Sequence, residues 1–318
     1  MSDACDVQNR KEGRKVLERR TDKKMEAVTR MSLDYDAVKW DIRAKRRKQA
    51  KQVVLLIGNI IAALVILFPL LYAFSIALMP AGELYTNSRN FFPKNPTFDN
   101  FEQALQTVPL GKYVWNSFVV ATAITAGQIV TCSLAAFAFS FLEFKGKNVL
   151  FMIVMATMMI PGEATIISNY LTVSNLGWLN SYHVLIVPYL TSAMGIFLFR
   201  QFYKSFPISL YESAKLDGCS NIRFIIQILL PLTKSAVGAM GVYTFINSWN
   251  MYMWPLLVNG SDDMRTVQIG VSMLDGVDTQ SITMMMAGAV LIIIPSILIF
   301  ILGQKQLIRG MFSGAVKG

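Results

Sequence analysis

The chain has 318 residues, of which 53% are hydrophobic and 16% are charged, and its mean hydropathy is +0.44. Because the apolar residues come in long blocks rather than in alternation, this composition excludes an ordinary soluble domain. The net charge of +10 lies mostly in the N-terminal tail and in loops, so we expect it to orient the chain and to contact anionic lipid rather than bind nucleic acid.

A basic tail, residues 1–52, is the first predicted element, and we expect it to be partly helical near the membrane and disordered before that. Long apolar runs then predict an all-α membrane protein, since about 20 apolar residues cross the hydrocarbon core and a helix satisfies its own backbone. The six predicted transmembrane helices are roughly residues 53–79, 114–142, 149–170, 183–200, 236–258 and 283–303.

The charges between these spans predict the topology. Lys and Arg gather before the first span, after the second, in loop 201–235 and after the sixth. Loop 259–281 instead holds four aspartates against Arg265 alone. Because positive residues stay on the cytoplasmic side, we expect a multi-pass protein of the inner membrane with both termini and loop 201–235 in the cytoplasm.

Loop 201–235 contains the most informative stretch of the chain, residues 211–232. Glu212 and Asp217 bracket one helical turn, and Gly218 suits the C′ position that ends many helices. A second apolar stretch then continues until Pro231 breaks it. A chain that lies mostly in lipid has no packing reason to keep such a helix–turn–helix outside the membrane, so we expect a partner to dock there.

Polar residues within the fifth predicted span are the candidate solute contacts. Asn247 and Asn250 lie three residues apart and so project from nearly the same helix face, with Trp249 beside them. Amides and an indole N–H in hydrocarbon need partners or a wet cavity. A solute pathway and hydrogen bonding between helices both explain them.

No catalytic residue, metal site or cofactor site is predicted. The chain lacks the G-x-x-x-x-G-K-[ST] phosphate loop, so we do not expect it to bind ATP in that manner. His183 is the single histidine, and Cys5, Cys132 and Cys219 show neither disulfide nor metal spacing. Glu163 suits either an intramembrane ion site or a helix end at the outer water interface.

The stretch 212–231 resembles the EAA signature of ABC importer permeases, in which E-A-A is followed by Gly, nine residues and I-x-L-P. Ser213 replaces the usual Ala and Cys219 a frequent Ala, and both are small enough to preserve docking. The segments MMIPGEATIISNYLTVSNLGWLNSYHVLIVPYL, FINSWNMYMWPLL and GMFSGAVKG extend the likeness to the MalG-type carbohydrate permeases over roughly 53–318. The ATPase-coupling residues that the resemblance implies are Glu212, Ser213, Ala214, Asp217, Gly218, Ile228, Leu230 and Pro231.

This resemblance implies a type I ABC importer permease fold, with six transmembrane helices and a cytoplasmic coupling helix. It implies a second permease, a separate cytoplasmic ATPase dimer that hydrolyses the ATP, and an extracytoplasmic solute-binding protein that meets the outer loops. The implied solute is a sugar, and glycerol 3-phosphate is the alternative within the family. Residues 212–218 would insert into the ATPase.

Two other classes of protein also explain parts of the sequence. An ion-coupled secondary transporter would account for the spans and the buried amides, but it requires a pair of carboxylates near the midplane that the spans lack. A membrane scaffold would account for the spans and would leave the spacing in 212–231 unexplained.

Overall fold

A computed structural model describes residues 47–80, 82–86, 91–275 and 281–313. Regular structure within these ranges is helical, with no strand among them. The chain divides into two units, residues 1–69 and 70–318.

The described part of the first unit, residues 47–69, lies in helix α1, Arg47–Ala77. The large apolar side chains from Val53 to Phe68 are between 46% and 74% exposed. Such a surface suits hydrocarbon rather than water. Residues 47–52 of the predicted tail are helical, and the remainder of the tail lies outside the described residues.

The second unit contains two short helices followed by a long helical array. Its first seven helices are α2 Glu83–Thr86, α3 Asp99–Thr107, α4 Leu110–Phe141, α5 Lys147–Ala156, α6 Gly162–Asn175, α7 Tyr182–Ile186 and α8 Ala193–Tyr203. The next seven are α9 Ile208–Leu216, α10 Asn221–Phe224, α11 Leu230–Leu232, α12 Lys234–Trp249, α13 Met253–Val258, α14 Val267–Ser272 and α15 Ser281–Ser313. Helix α4 packs against α8 and α12, and α12 also packs along α15.

Among the described residues, three helices are long and apolar enough to cross a membrane unbroken: α1, α4 and residues 282–305 of α15. Three further pairs of helices qualify only if each bent pair is one span, which makes up to six candidate spans in all. The pairs are 147–159 with 162–175, 182–189 with 193–203, and 221–232 with 234–249, bent by 99°, 43° and 85°.

The bend within the predicted span 149–170 has a local cause. Pro161 supplies no N–H and disfavours helical backbone at the residue before it. Ile160 is accordingly extended, with ψ of 116°. Helix α6 begins again at Gly162, and the exposed Glu163 stands in its first turn. A second difference lies in the predicted span 236–258, which is interrupted between α12 and α13.

Three buried clusters hold the second unit together, each joining the long α4 to later helices. The first includes Phe137, Phe141, Phe199, Tyr203, Phe224 and Leu229. The second includes Leu110, Tyr113, Trp249, Val267 and Leu274. The third includes Val120, Ile124, Val184, Leu185 and Trp254. The first cluster matters most here because α9 and α10 are built on it.

Candidate functional site

Helix α9 ends in a Schellman motif at Gly218. The Gly218 N–H donates to the Lys215 carbonyl at 3.0 Å, and the Cys219 N–H donates to the Ala214 carbonyl at 2.9 Å. These are the two bonds that close a helix around a left-handed C′ residue. Gly218 has φ of +77°, so the C′ position predicted from the sequence is present in the structure.

The turn is secured on its far side by a second cap. The Ser220 hydroxyl accepts from the Arg223 N–H at 3.3 Å at the start of α10. The Tyr211 hydroxyl of α9 donates to Asn221 Oδ1 of α10 at 2.8 Å. Side chains before and after Gly218 therefore hold the two helices as one unit.

Aromatic side chains pack against the buried side of this helix–turn–helix. The fully buried Phe224 ring lies 5.2 Å from the Tyr211 ring, 5.6 Å from Phe141 and 6.2 Å from Phe137, measured between centroids. Because Phe137 and Phe141 belong to α4, the position of the turn depends on the end of a 32-residue helix that runs through the second unit. Ala214 is buried on the same side.

The opposite side of α9 and α10 is open. Glu212, Ser213, Asp217 and Gly218 are exposed. Leu216 is 89% exposed at the tip of α9. Among the described residues these acidic and apolar side chains have no hydrogen-bond or ion-pair partner, so this side of the helix is free to contact another molecule. We call residues 208–219 the coupling helix from here on, after the role that the resemblance of their sequence implies.

The segment after α10 returns the chain to the next long helix. Residues Ile225–Leu229 form a π-helical turn, and Pro231 just beyond it supplies no N–H to the helix ladder. The Thr233 hydroxyl donates to the Leu229 carbonyl at 2.7 Å, at the point where the chain bends by 85°. Ile228 and Leu230 are half-buried and Pro231 is exposed.

The three predicted pathway residues separate into two groups. Asn247 and Asn250 are exposed, and each Nδ2 donates to a carbonyl of its own helix, Tyr243 at 2.8 Å and Ile246 at 3.0 Å. Trp249 is only 1% exposed and stacks on Phe245, and its Nε1–H has no acceptor among the residues that the structure describes. The indole is therefore not available to stack on a solute in this conformation.

Sequence reasoning missed the side chain that organises residues 263–267. Asn116 of α4 is 2% exposed, and its Nδ2 donates to the Asp263 and Arg265 carbonyls, both at 2.9 Å. Its Oδ1 accepts from the Tyr182 hydroxyl at 2.6 Å. The sequence signal that could have identified it is a single asparagine near the start of the apolar run 114–142.

Charge adds a second link between this loop and α4. Lys112 forms an ion pair with Asp263. The hydrogen bond from the Lys112 ammonium, together with its positive charge, holds the pKa of Asp263 below its ordinary value. Arg265 pairs with Asp262 at 2.6 Å. In addition, Gln268 of α14 donates to Asn250 Oδ1 at 3.0 Å, which joins the loop to one of the predicted pathway residues.

The sequence profile of the family described as "Binding-protein-dependent transport system inner membrane component" matches residues 128–313. This range includes the coupling helix and the pathway residues. The chain belongs to that family. It is therefore a permease subunit of a binding-protein-dependent ABC importer, an inner membrane component, and the ion-coupled alternative is not retained.

Individual relatives agree with this assignment. The chain is 35% identical over 267 residues to the sn-glycerol-3-phosphate transport system permease protein UgpE of Brucella suis biovar 1 (strain 1330), covering 81% of this chain and 93% of the relative. The protein of the same name from Yersinia enterocolitica serotype O:8 is also 35% identical, over 261 residues, covering 79% and 92%.

A solved structure shares the fold. It is a chain of a bacterial ABC transporter involved in the import of the acidic polysaccharide alginate, with a TM-score of 0.72 and 22% identity. The match covers 82% of this chain and 97% of that chain. The predicted ABC importer permease fold is thereby confirmed.

Proposed function

We propose that this chain forms, with a second permease, the membrane pathway for a small hydroxylated solute, and that a separate ATPase dimer drives it through the coupling helix. The observation that carries the coupling role is the turn at Gly218, which is exposed and is capped on both sides. It packs on an aromatic base formed by Phe137, Phe141 and Phe224. A rigid element with an open acidic and apolar surface can transmit the motion of a docked partner to the long helices beneath it.

The direction of force transfer follows from the contacts of the coupling helix. Tyr211 and Phe224 pack on the end of α4, and the segment after Phe224 leads directly into α12. A displacement of the turn would therefore reach two of the long helices at once. Coupling requires two states of the assembly that bind ATP differently.

The proposed topology places the coupling helix in the cytoplasm and loop 259–281 outside, facing a solute-binding protein. The basic residues of loop 201–235 and the acidic residues of loop 259–281 support this orientation. Both termini would then be cytoplasmic.

The first candidate for the solute is sn-glycerol 3-phosphate, because the UgpE relatives named above carry that solute in their names. A sugar without phosphate is the second candidate, favoured by the uncharged amides of Asn247 and Asn250. Such amides can pair with hydroxyl groups of either solute.

The solute is tested by expressing the chain with its partner permease, ATPase and binding protein in cells that lack glycerol 3-phosphate uptake. We expect saturable uptake of radiolabelled glycerol 3-phosphate that an ATPase-inactive partner abolishes. Uptake of a radiolabelled sugar that excess glycerol 3-phosphate does not reduce would instead select the second candidate. Uptake that persists with the inactive ATPase would contradict the coupling role.

A further inference from the structure

A cationic cavity has no residue of the coupling helix and no predicted pathway residue in its lining. It has a volume of about 390 Å³ and lies where α4 and α8 end and α5 begins. Its charged lining consists of Lys147, Arg200 and Lys204 against the single carboxylate of Glu143. Since three candidate spans meet their ends here, the cavity stands at the level of a membrane–water interface.

Arg200 is the most unusual member of this lining. It is only 8% exposed, yet among the described residues no carboxylate lies within ion-pair distance of it. Its Nε donates to the Phe139 carbonyl at 3.4 Å, and its guanidinium carbon lies 3.9 Å from the centre of the Phe151 ring. A buried charge without a counter-ion is costly. Arg200 lines the cavity, so an anion bound there would balance its charge.

The two lysines strengthen the positive field. Lys147 Nζ donates to the Leu142 carbonyl at 2.7 Å and lies 3.4 Å from Glu143 Oε1, whose side chain is 92% exposed. Burial, followed by the nearby charges of Arg200 and Lys147, lowers the pKa of Lys204. An anion in the cavity would relieve this repulsion.

Backbone groups contribute as well. The first turn of α5 lines the cavity, beginning at Gly146, which has φ of +81°, and including Asn148. The free N–H groups and the dipole at the start of a helix favour phosphate-like anions. Helix α5 has ten residues. Its N-terminal end attracts an anion through backbone groups, in addition to the side-chain charges of the cavity.

We propose that this cavity binds a phosphate group, with the headgroup of an anionic phospholipid as the favoured source. The exposed apolar side chains of Val149, Met152 and Ile153 continue from the cavity along α5 and offer a surface for acyl chains. A free phosphate would make no use of that surface. The site is independent of the imported solute, and only its cytoplasmic position rests on the proposed topology.

The test measures lipid retained by the purified importer complex with native mass spectrometry, after incubation with dioleoyl phosphatidylglycerol or dioleoyl phosphatidylcholine. We expect the wild-type complex to retain phosphatidylglycerol preferentially. Lys204→Gln and Arg200→Gln should each weaken that binding about fivefold. Lys145→Gln is the matched control, because Lys145 is exposed in the same loop and does not line the cavity.

Inorganic phosphate identifies the source of the ligand. Phosphatidylglycerol binding that persists in millimolar inorganic phosphate supports the lipid headgroup. Binding of inorganic phosphate alone, lost in Lys204→Gln, supports the same chemistry with a free phosphate. The proposal is overturned if the complex binds no inorganic phosphate and retains the two lipids equally. It is also overturned if the complex binds no inorganic phosphate and Lys204→Gln leaves phosphatidylglycerol binding unchanged. Because no transport is measured, these outcomes do not depend on the proposed function.

Discussion

The backbone conformation of the turn that ends the coupling helix depends on Gly218. Its φ of +77° is strained for residues with a side chain, yet no atom lies within 4 Å of the position that a Cβ would take. Any effect of substitution therefore comes from the backbone conformation and not from crowding. Branched residues tolerate this region poorly, whereas asparagine visits it comparatively often.

We expect Gly218→Val to abolish ATP-driven uptake while the subunit still inserts and joins its partner permease. Gly218→Asn, which adds atoms of similar bulk, should keep most of the activity. Uptake and co-purification of the ATPase check both variants. Normal uptake by the valine variant would show that the turn is not part of the coupling.

Asn250 tests the pathway role at the same scale. The Asn250 side chain is exposed, and its existing hydrogen bonds hold it in place to contact a solute. We expect Asn250→Ala to remove one hydrogen bond to the solute and therefore to raise the KM for uptake about fivefold. Thr244→Val is the contrast on the same helix. The buried Thr244 hydroxyl donates to Gln128 Oε1 at 3.1 Å, so its loss should lower thermal stability without changing KM.

The outcome separates the two interpretations of the amide. An unchanged KM together with a lower melting temperature in Asn250→Ala would make Asn250 a structural link to Gln268. The solute contacts would then lie on other residues or on the partner permease.

At the scale of elements, α10 has one buried face and one exposed face. Phe224 is fully buried, whereas Ile222, two residues earlier, is 62% exposed. We expect Phe224→Ala to destabilise the complex by about 3–5 kcal/mol, since a large aromatic side chain leaves a cavity in the aromatic base. Ile222→Ala should stay within about 0.5 kcal/mol of wild type.

Thermal unfolding of the purified complex, followed by its tryptophan fluorescence, checks this pair. We further expect Ile222→Ala to reduce the amount of ATPase that co-purifies, because its side chain belongs to the open surface. Equal stability of the two variants would contradict the packing role of Phe224.

At the scale of the whole molecule, the prediction concerns topology. Single cysteines at Asp262 and Ser213, both exposed positions, are introduced after Cys5, Cys132 and Cys219 are replaced by serine or alanine. An impermeant maleimide applied to spheroplasts should label the cysteine at 262 and should reach the one at 213 only after permeabilisation. The reverse pattern would invert the proposed orientation.

Much of this protein follows from short stretches of sequence. The apolar runs predict the membrane class, and Gly218 predicts the turn that ends α9, because hydrophobic length and local backbone preference depend on a few consecutive residues. The spacing from Glu212 to Pro231 likewise identifies the family without reference to any distant contact. These features are local, and the sequence by itself determined them.

Other features depend on residues far apart in the chain, and only the tertiary structure decided them. Trp249 reads as a candidate solute contact, but packing against Phe245 and helices distant in sequence buries it. Lys147 lies between two predicted spans and Arg200 at the end of another, and only the meeting of α5 with α8 brings them to one cavity. Burial and charge proximity are properties of the assembled helices, because they arise from neighbours that no local pattern specifies.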